Sequence, residues 1–264
     1  MNTLIWKRQI GKLYPTPNSH GRKIILIYHA VGKGPEALPL EKLQQQFQWL
    51  QEYCEVVSLN TLLSHVSTGK KIHVALTFDD GYECVYRLAA PLLLAAKMPA
   101  TVYINTGWIG ESAAHRKTSD ANLGHTAGES FLTWPEVIKL ANQGWEIGSH
   151  GVDHFDLTQQ SPEVIRSELI HSKQKIESHL QRSCPHFCYT WGRHHPSLRK
   201  AVSDTGYQSA VAAHHAPVTD REDRFALPRL HAANAYTMTD FKNSVVGKWD
   251  FLGMIHRMKR AHYA

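Results

Sequence analysis

Several short apolar runs in this chain lack the in-out alternation of a sheet with one wet face: KIILIYH (23–29), HVALTF (73–78) and ATVYI (100–104). A strand apolar on both sides must be covered on both sides, which is the condition of a parallel sheet clothed by crossover helices. The intervening segments have helical spacing. LEKLQQQFQWLQEY (40–53) places Leu40, Leu43, Phe47 and Leu50 on one face, and YRLAAPLLLAAK also reads as helix. LTWPEVIKLANQG carries Thr133 as N-cap, an early Pro135 and Gly144 as a stop, while SPEVIRSELIHSKQKIESHL opens on Ser161 and Pro162. WEIGSH, FCYTW, YQSAVAA and LPRLH complete the strands, with PSLRKAVSDTG as a further helix. Six or seven such units favour an α/β barrel over an open sheet, and 264 residues suit one domain over 1–264. Residues 105–130 are polar, small and Gly-rich, a long loop of the kind that usually carries function or moves. In such folds ligands gather where strands end.

Composition removes several classes. The formal charge of +6 is concentrated towards the ends, in WKR, GRK and HRMKR, with no basic stripe interleaved with aromatics, so no nucleic-acid partner is expected. Only Leu4, Ile5 and Trp6 are apolar near the start, and no run has the roughly 20 apolar residues of a transmembrane span. The expectation is a cytoplasmic protein with peripheral membrane contact allowed by its charge. Cys54, Cys84, Cys184 and Cys188 are too scattered for a disulfide scaffold, and CPHFC lacks a second pair to complete a zinc site. No G-x-S-x-G elbow and no phosphate-binding loop ending in Gly-Lys-Ser/Thr occur.

Asp79 and Asp80 end one strand run, and His150 ends another, with His154 four residues on. Adjacent carboxylates at the end of a buried strand repel unless a cation or proton is shared between them. Two imidazoles on one helical turn and one carboxylate make a typical catalytic zinc set with an open position. If Asp80 binds the cation, Asp79 is left as a general base for water. Neighbouring strand residues point to opposite faces, so both reach one site only if the chain bends, which Gly81 permits.

TFDDG (77–81) followed by SHGVDH (149–154) resembles the polysaccharide deacetylase family, the NodB-like carbohydrate esterases. IYH (27–29), FCYTWG (187–192) and LPRL (227–230) resemble further segments of its exopolysaccharide-type branch, so the likeness spans about 22–255. The resemblance implies a distorted (β/α) barrel of NodB-homology type, parallel strands surrounded by helices, that removes N-acetyl groups from amino sugars with one divalent metal. By that likeness Asp79 is the general base, and Asp80, His150 and His154 are the metal ligands. Trp191 offers its backbone N–H to the oxyanion. Zinc is the default, with cobalt, nickel, manganese or iron suited to the same donors.

The family's third motif usually has an arginine near its start and a proline before the aromatic; Cys188 and Thr190 stand there. Arg229 is the candidate to orient the base instead. The usual Leu-x-His near the end is not evident, since His256 in FLGMIHRMKR reads as part of a terminal helix. The leaving amine still needs a proton, and His231 and His29 are both candidates by position. His194/His195 and His214/His215 read as polar loop residues, Thr77 and Phe78 as core, and Trp108 as either a sugar-stacking ring or a loop anchor. A cytosolic member would meet a precursor, an N-acetylated amino sugar linked to phosphate or lipid. The rival readings are a catalytically silent carbohydrate-binding barrel and an O-acetyl esterase.

Overall fold

The computed structural model describes residues 3–17, 21–34, 37–64, 70–119 and 128–255, which leaves His256 outside the described residues. Helix α1 (Thr3–Leu13) is followed by β1 (Lys23–Tyr28), α2 (Leu40–Tyr53), β2 (Cys54–Val56), α3 (Leu59–Ser64) and β3 (Ile72–Phe78). Then come α4 (Ala90–Ala95), β4 (Thr101–Ile104), α5 (Trp134–Asn142), β5 (Glu146–Ser149), α6 (Pro162–Leu180) and β6 (His186–Cys188). The chain continues through α7 (Pro196–Asp204), β7 (Ser209–Val211), β8 (Leu230–His231) and α8 (Met238–Val245).

The strands lie parallel in the order β7-β6-β5-β4-β3-β1-β8. β3 is central and wholly buried, and one of its edges is divided: β2 pairs with Ile72–Val74, β4 with Thr77 and Phe78. This is the expected parallel barrel clothed by helices, incomplete between β7 and β8. That gap is stitched by a parallel bridge from Val211 to Leu227 and by the Arg229 amide donating to the His214 carbonyl at 3.0 Å.

The two-residue period of a strand sorts the core. Ile24, Leu26 and Tyr28 of β1 and Val74, Leu76 and Phe78 of β3 pack outward with Leu43, Phe47 and Leu50 of α2. Ile25 and Ala75 point the other way, into a smaller cluster with Tyr103, Cys188, Val211 and Leu227. A third cluster, Tyr236, Trp249, Phe251 and Leu252, receives Leu4, Trp6, Ile10 and Tyr14 of the N-terminal segment.

Several elements depart from the sequence reading. YRLAAPLLLAAK begins as a π-helical turn (Val85–Ala89) before α4. Pro91 has no N–H to donate four residues back and its ring crowds that carbonyl, which a widened turn accommodates. FCYTW is strand only to Cys188, because the chain then tightens into a short turn with Trp191 at φ +52° and Gly192 at φ +65°. Helix α5 has the expected start, with Thr133 and Glu136 forming a reciprocal capping box. Ser161 caps α6 by accepting from the Val164 amide.

Candidate active site

Interior-facing positions of the strands lead straight to the site. Continuing the parity of Ala75 along β3 gives Thr77 and then Asp79; continuing Ile25 along β1 gives Ile27 and His29; β8 contributes His231, with Arg229 two residues before it. Ile27, His29, Asp79, Arg229 and His231 all line one cavity of about 790 Å³, together with Asp80, His150, His154 and Trp191. Every candidate site residue of the sequence reading is therefore gathered at one place.

Asp80 is out of this parity and reaches the cavity by a backbone reversal. The expected bend is present, but Gly81 does not make it alone: Asp80 itself is left-handed at φ +70°, followed by Gly81 at φ +74°. A non-glycine residue held there carries local strain of the kind that clusters at functional sites. His154 is likewise left-handed, at φ +58°. This corrects the expectation of one helical turn: residues 150–156 form an irregular loop, turned by Gly151 at φ +89°. Glu168 of α6 holds that loop, accepting from the Val152 amide at 2.7 Å and the Asp153 amide at 3.3 Å.

The loop brings three donors together. His150 Nε2 lies 3.4 Å and His154 Nε2 3.5 Å from Asp80 Oδ1. One ligand atom from each residue falls within 4.8 Å of the others, and all three side chains are buried. His150 Nδ1 donates to the Cys188 carbonyl at 2.7 Å, which fixes the tautomer and turns the Nε2 lone pair inward. Tyr82 hydrogen-bonds the Asp80 carboxylate. A carboxylate and two oriented imidazoles converging under cover fit a divalent cation.

Asp79 is held differently. Arg229 forms a bidentate pair with it, both contacts at 2.7 Å, and both side chains are almost fully buried. The same guanidinium donates to the Ala212 carbonyl at 2.8 Å and to Thr77 Oγ1 at 3.1 Å. Cys188 Sγ sits 3.4 Å from Asp79 Oδ2 and 3.2 Å from Arg229 Nη2, filling the place where an arginine was expected. Burial pushes the Asp79 carboxyl upward, but the Arg229 charge and hydrogen bonds outweigh it and keep the group below the usual carboxylate value. Asp80 is also lowered, its burial outweighed by the hydrogen bond to His150 and the charges of neighbouring histidines.

His231 is partly buried, and its pKa is pushed down to about 4 by that burial and by the charges of His29 and Arg229. His29 is exposed on the cavity. Trp108 is the loop anchor of the two alternatives: it is buried, with its ring 4.8 Å from Phe131 and 5.3 Å from His154. The exposed ring at the site is that of Trp191, 48% accessible and set edge-on to His154 at 4.6 Å. His195 instead caps α7, accepting from the Leu198 amide. Tyr82 and Glu168 support the site, while Lys7 and Glu129 line the cavity wall away from the four converging side chains, and none of these stands out in the sequence. Tyr82 directly follows TFDDG, which is the one signal that could have pointed to it; Glu168 lies in a helix away from every motif.

The polysaccharide deacetylase family model matches residues 66–210, more than half of the chain. The chain belongs to the polysaccharide deacetylase family. Among curated members, the Bacillus subtilis protein YxkH is 26% identical over 214 residues, covering 79% of this chain and 71% of that one. A Staphylococcus aureus poly-beta-1,6-N-acetyl-D-glucosamine N-deacetylase is 23% identical over 221 residues, covering 79% and 70%. The solved structure of Streptococcus pyogenes deacetylase PplD in complex with acetate superposes with a TM-score of 0.71 at 22% identity, over 85% of this chain and 98% of that one. That likeness gives this polysaccharide deacetylase family member the same fold. No helix among its described residues is long and apolar enough to cross a membrane.

Proposed function

We propose that this protein is a metal-dependent hydrolase that removes an acetyl group from the nitrogen of an amino sugar in a glycan or glycan precursor. The observation that carries the reading is the division of labour between adjacent carboxylates. Asp80 faces two imidazoles, while Asp79, one residue away, is clamped by Arg229 and faces the same cavity. The S. aureus relative, by its name, acts on an N-acetylated glucosamine polymer, which supports the N-acetyl choice.

Asp80, His150 and His154 would hold the cation, which when bound supplies Lewis acidity to water and to the acyl carbonyl. Zinc is the default for this donor set, and cobalt, nickel, manganese and iron(II) suit it as well. Asp79 remains ionised and accepts a proton from the attacking water at a carboxylate oxygen, with Arg229 fixing that oxygen's direction. The Trp191 N–H, presented by the tight turn at Thr190–Gly192, donates to the oxyanion that develops on the acetyl carbonyl. His29 then gives a proton to the departing amine. It is preferred to His231 because His29 is exposed on the cavity, whereas His231 is half-buried.

Metal analysis and acetate release from N-acetylated glucosamine oligomers test the reading together. Asp79→Asn is expected to retain the metal and lose about 10²–10⁴ in turnover, the usual worth of a positioned base. His150→Ala should lose metal and turnover together. Unimpaired turnover by the Asp79→Asn variant removes Asp79 as base. Retention of metal without acetate release from any N-acetyl sugar favours the silent carbohydrate-binding barrel, and release only from O-acetylated sugars favours the esterase.

A further inference from the structure

We infer that Lys7, on α1, forms an anion-binding subsite in the wall of the active-site cavity and selects acetylated sugars that bear a phosphate ester or carboxylate. This rests on the deacetylase reading above and names the substrate class it acts on. Lys7 lies outside the segment matched by the family model, yet it lines the same cavity as Asp79 and Asp80.

The helix is held in place by contacts that do not involve Lys7. Trp6 meets Phe251 edge-on at 5.8 Å, and Arg8 makes a bidentate pair with Asp240, Nε to Oδ1 at 2.9 Å and Nη2 to Oδ2 at 2.6 Å. Arg8 thus has a counterion. Lys7 has none: among the described residues no carboxylate pairs with it, and its Nζ donates only to the Tyr236 hydroxyl, at a long 3.4 Å. The ammonium lies 5.7 Å from the Tyr236 ring centre and 6.0 Å from that of Trp249. Two ring faces steady a cation but leave its charge available.

Half-burial without a counterion is unfavourable for an ammonium, and burial lowers its pKa. A cation kept there, on a cavity wall and aimed by aromatic rings, is suited to an incoming anion. Among the described residues the other charged group of the wall outside the catalytic set is Glu129, so the cavity presents a cation on α1 and a carboxylate on a loop. An anionic substituent is attracted by the first and repelled by the second, which orients the sugar as well as selecting it.

The test compares kcat/KM for acetate release by the metal-loaded protein on one N-acetylated disaccharide in three forms: neutral, phosphorylated and uronate-bearing. The wild type is expected to favour at least one anionic form over the neutral one by about tenfold. Lys7→Met, which keeps the stem, should abolish that preference through KM while leaving the neutral form unchanged, and Lys7→Arg should restore it. The phosphorylated and uronate arms tell which anion the subsite takes. A wild type without preference, or an equal loss on all forms in Lys7→Met, overturns the subsite. Calorimetric binding of N-acetylglucosamine 1-phosphate separates this from the parent reading. Binding to wild type but not to Lys7→Met, with no acetate released from any form, sinks the deacetylase and keeps the subsite. Equal binding to both proteins sinks the subsite.

Discussion

The contact between Arg229 and Asp79 is the strongest electrostatic commitment in the site. Two hydrogen bonds of 2.7 Å join groups that are nearly inaccessible to water. Removing one partner of such a pair leaves the other charge buried alone, so Arg229→Met should destabilise the protein by about 3–5 kcal/mol. It should also allow the Asp79 carboxyl to rise towards protonation. Arg229→Lys keeps the charge but loses the fork, so it should lose less stability while still losing turnover. Denaturation curves and acetate release on the same samples check both variants. Asp79, Asp80, His150 and His154 were legible because charged residues at the ends of apolar runs have few structural uses. Tyr82, which hydrogen-bonds Asp80, was not, since a tyrosine after a glycine turn has many uses in a core. Cys188 stands out in the sequence as a departure, but its position against both Asp79 and Arg229 depends on sheet order rather than on neighbouring sequence.

Among the helices, α5 shows how local chemistry fixes an element that then supports the long loop. Glu136 accepts from the Thr133 amide at 2.9 Å and pairs with Arg116 through contacts of 2.7 and 2.9 Å. Burial raises the Glu136 carboxyl, but Arg116 and Thr133 outweigh it and hold it below its ordinary value of 4.5. Its stabilisation is therefore complete above the unfolded pKa and lost as pH falls through the lower folded one. Glu136→Gln should cost about 1 kcal/mol at pH 7, the usual worth of a cap. The difference from wild type should close in strong acid, as urea titrations at pH 7 and below the folded pKa would show. The long helices were legible from their spacing and caps. The short β2 and α1 were not, because their identity comes from the edges and clusters they join, whereas LPRLH reads as a strand and pairs as β8 only at Leu230 and His231. The loop carrying His154 reads as helix in the sequence, since four-residue spacing cannot distinguish a helical turn from a chain reversed at Gly151 and clamped by Glu168.

Taken whole, the molecule places its first helix against its last third. Gly11 allows the close approach: a Cβ there would stand 2.7 Å from the Trp249 indole nitrogen. Gly11→Val should weaken that docking by about 1–3 kcal/mol, as overpacking usually does. Hydrogen exchange should then accelerate over Thr3–Leu13, and the anionic preference ascribed to Lys7 should fall while neutral substrates are still turned over. The parallel architecture was legible from unbroken apolar runs, but where the barrel stays open was not, because strand order leaves no trace in any single run. The stitching across β7 and β8 has its own consequence. One guanidinium reaches both the Ala212 carbonyl beyond β7 and the Asp79 carboxylate beyond β3. Gentle heating that parts those two edges should therefore disarm the enzyme while most of its ellipticity survives, and the fall in rate should precede the melting curve on the temperature axis.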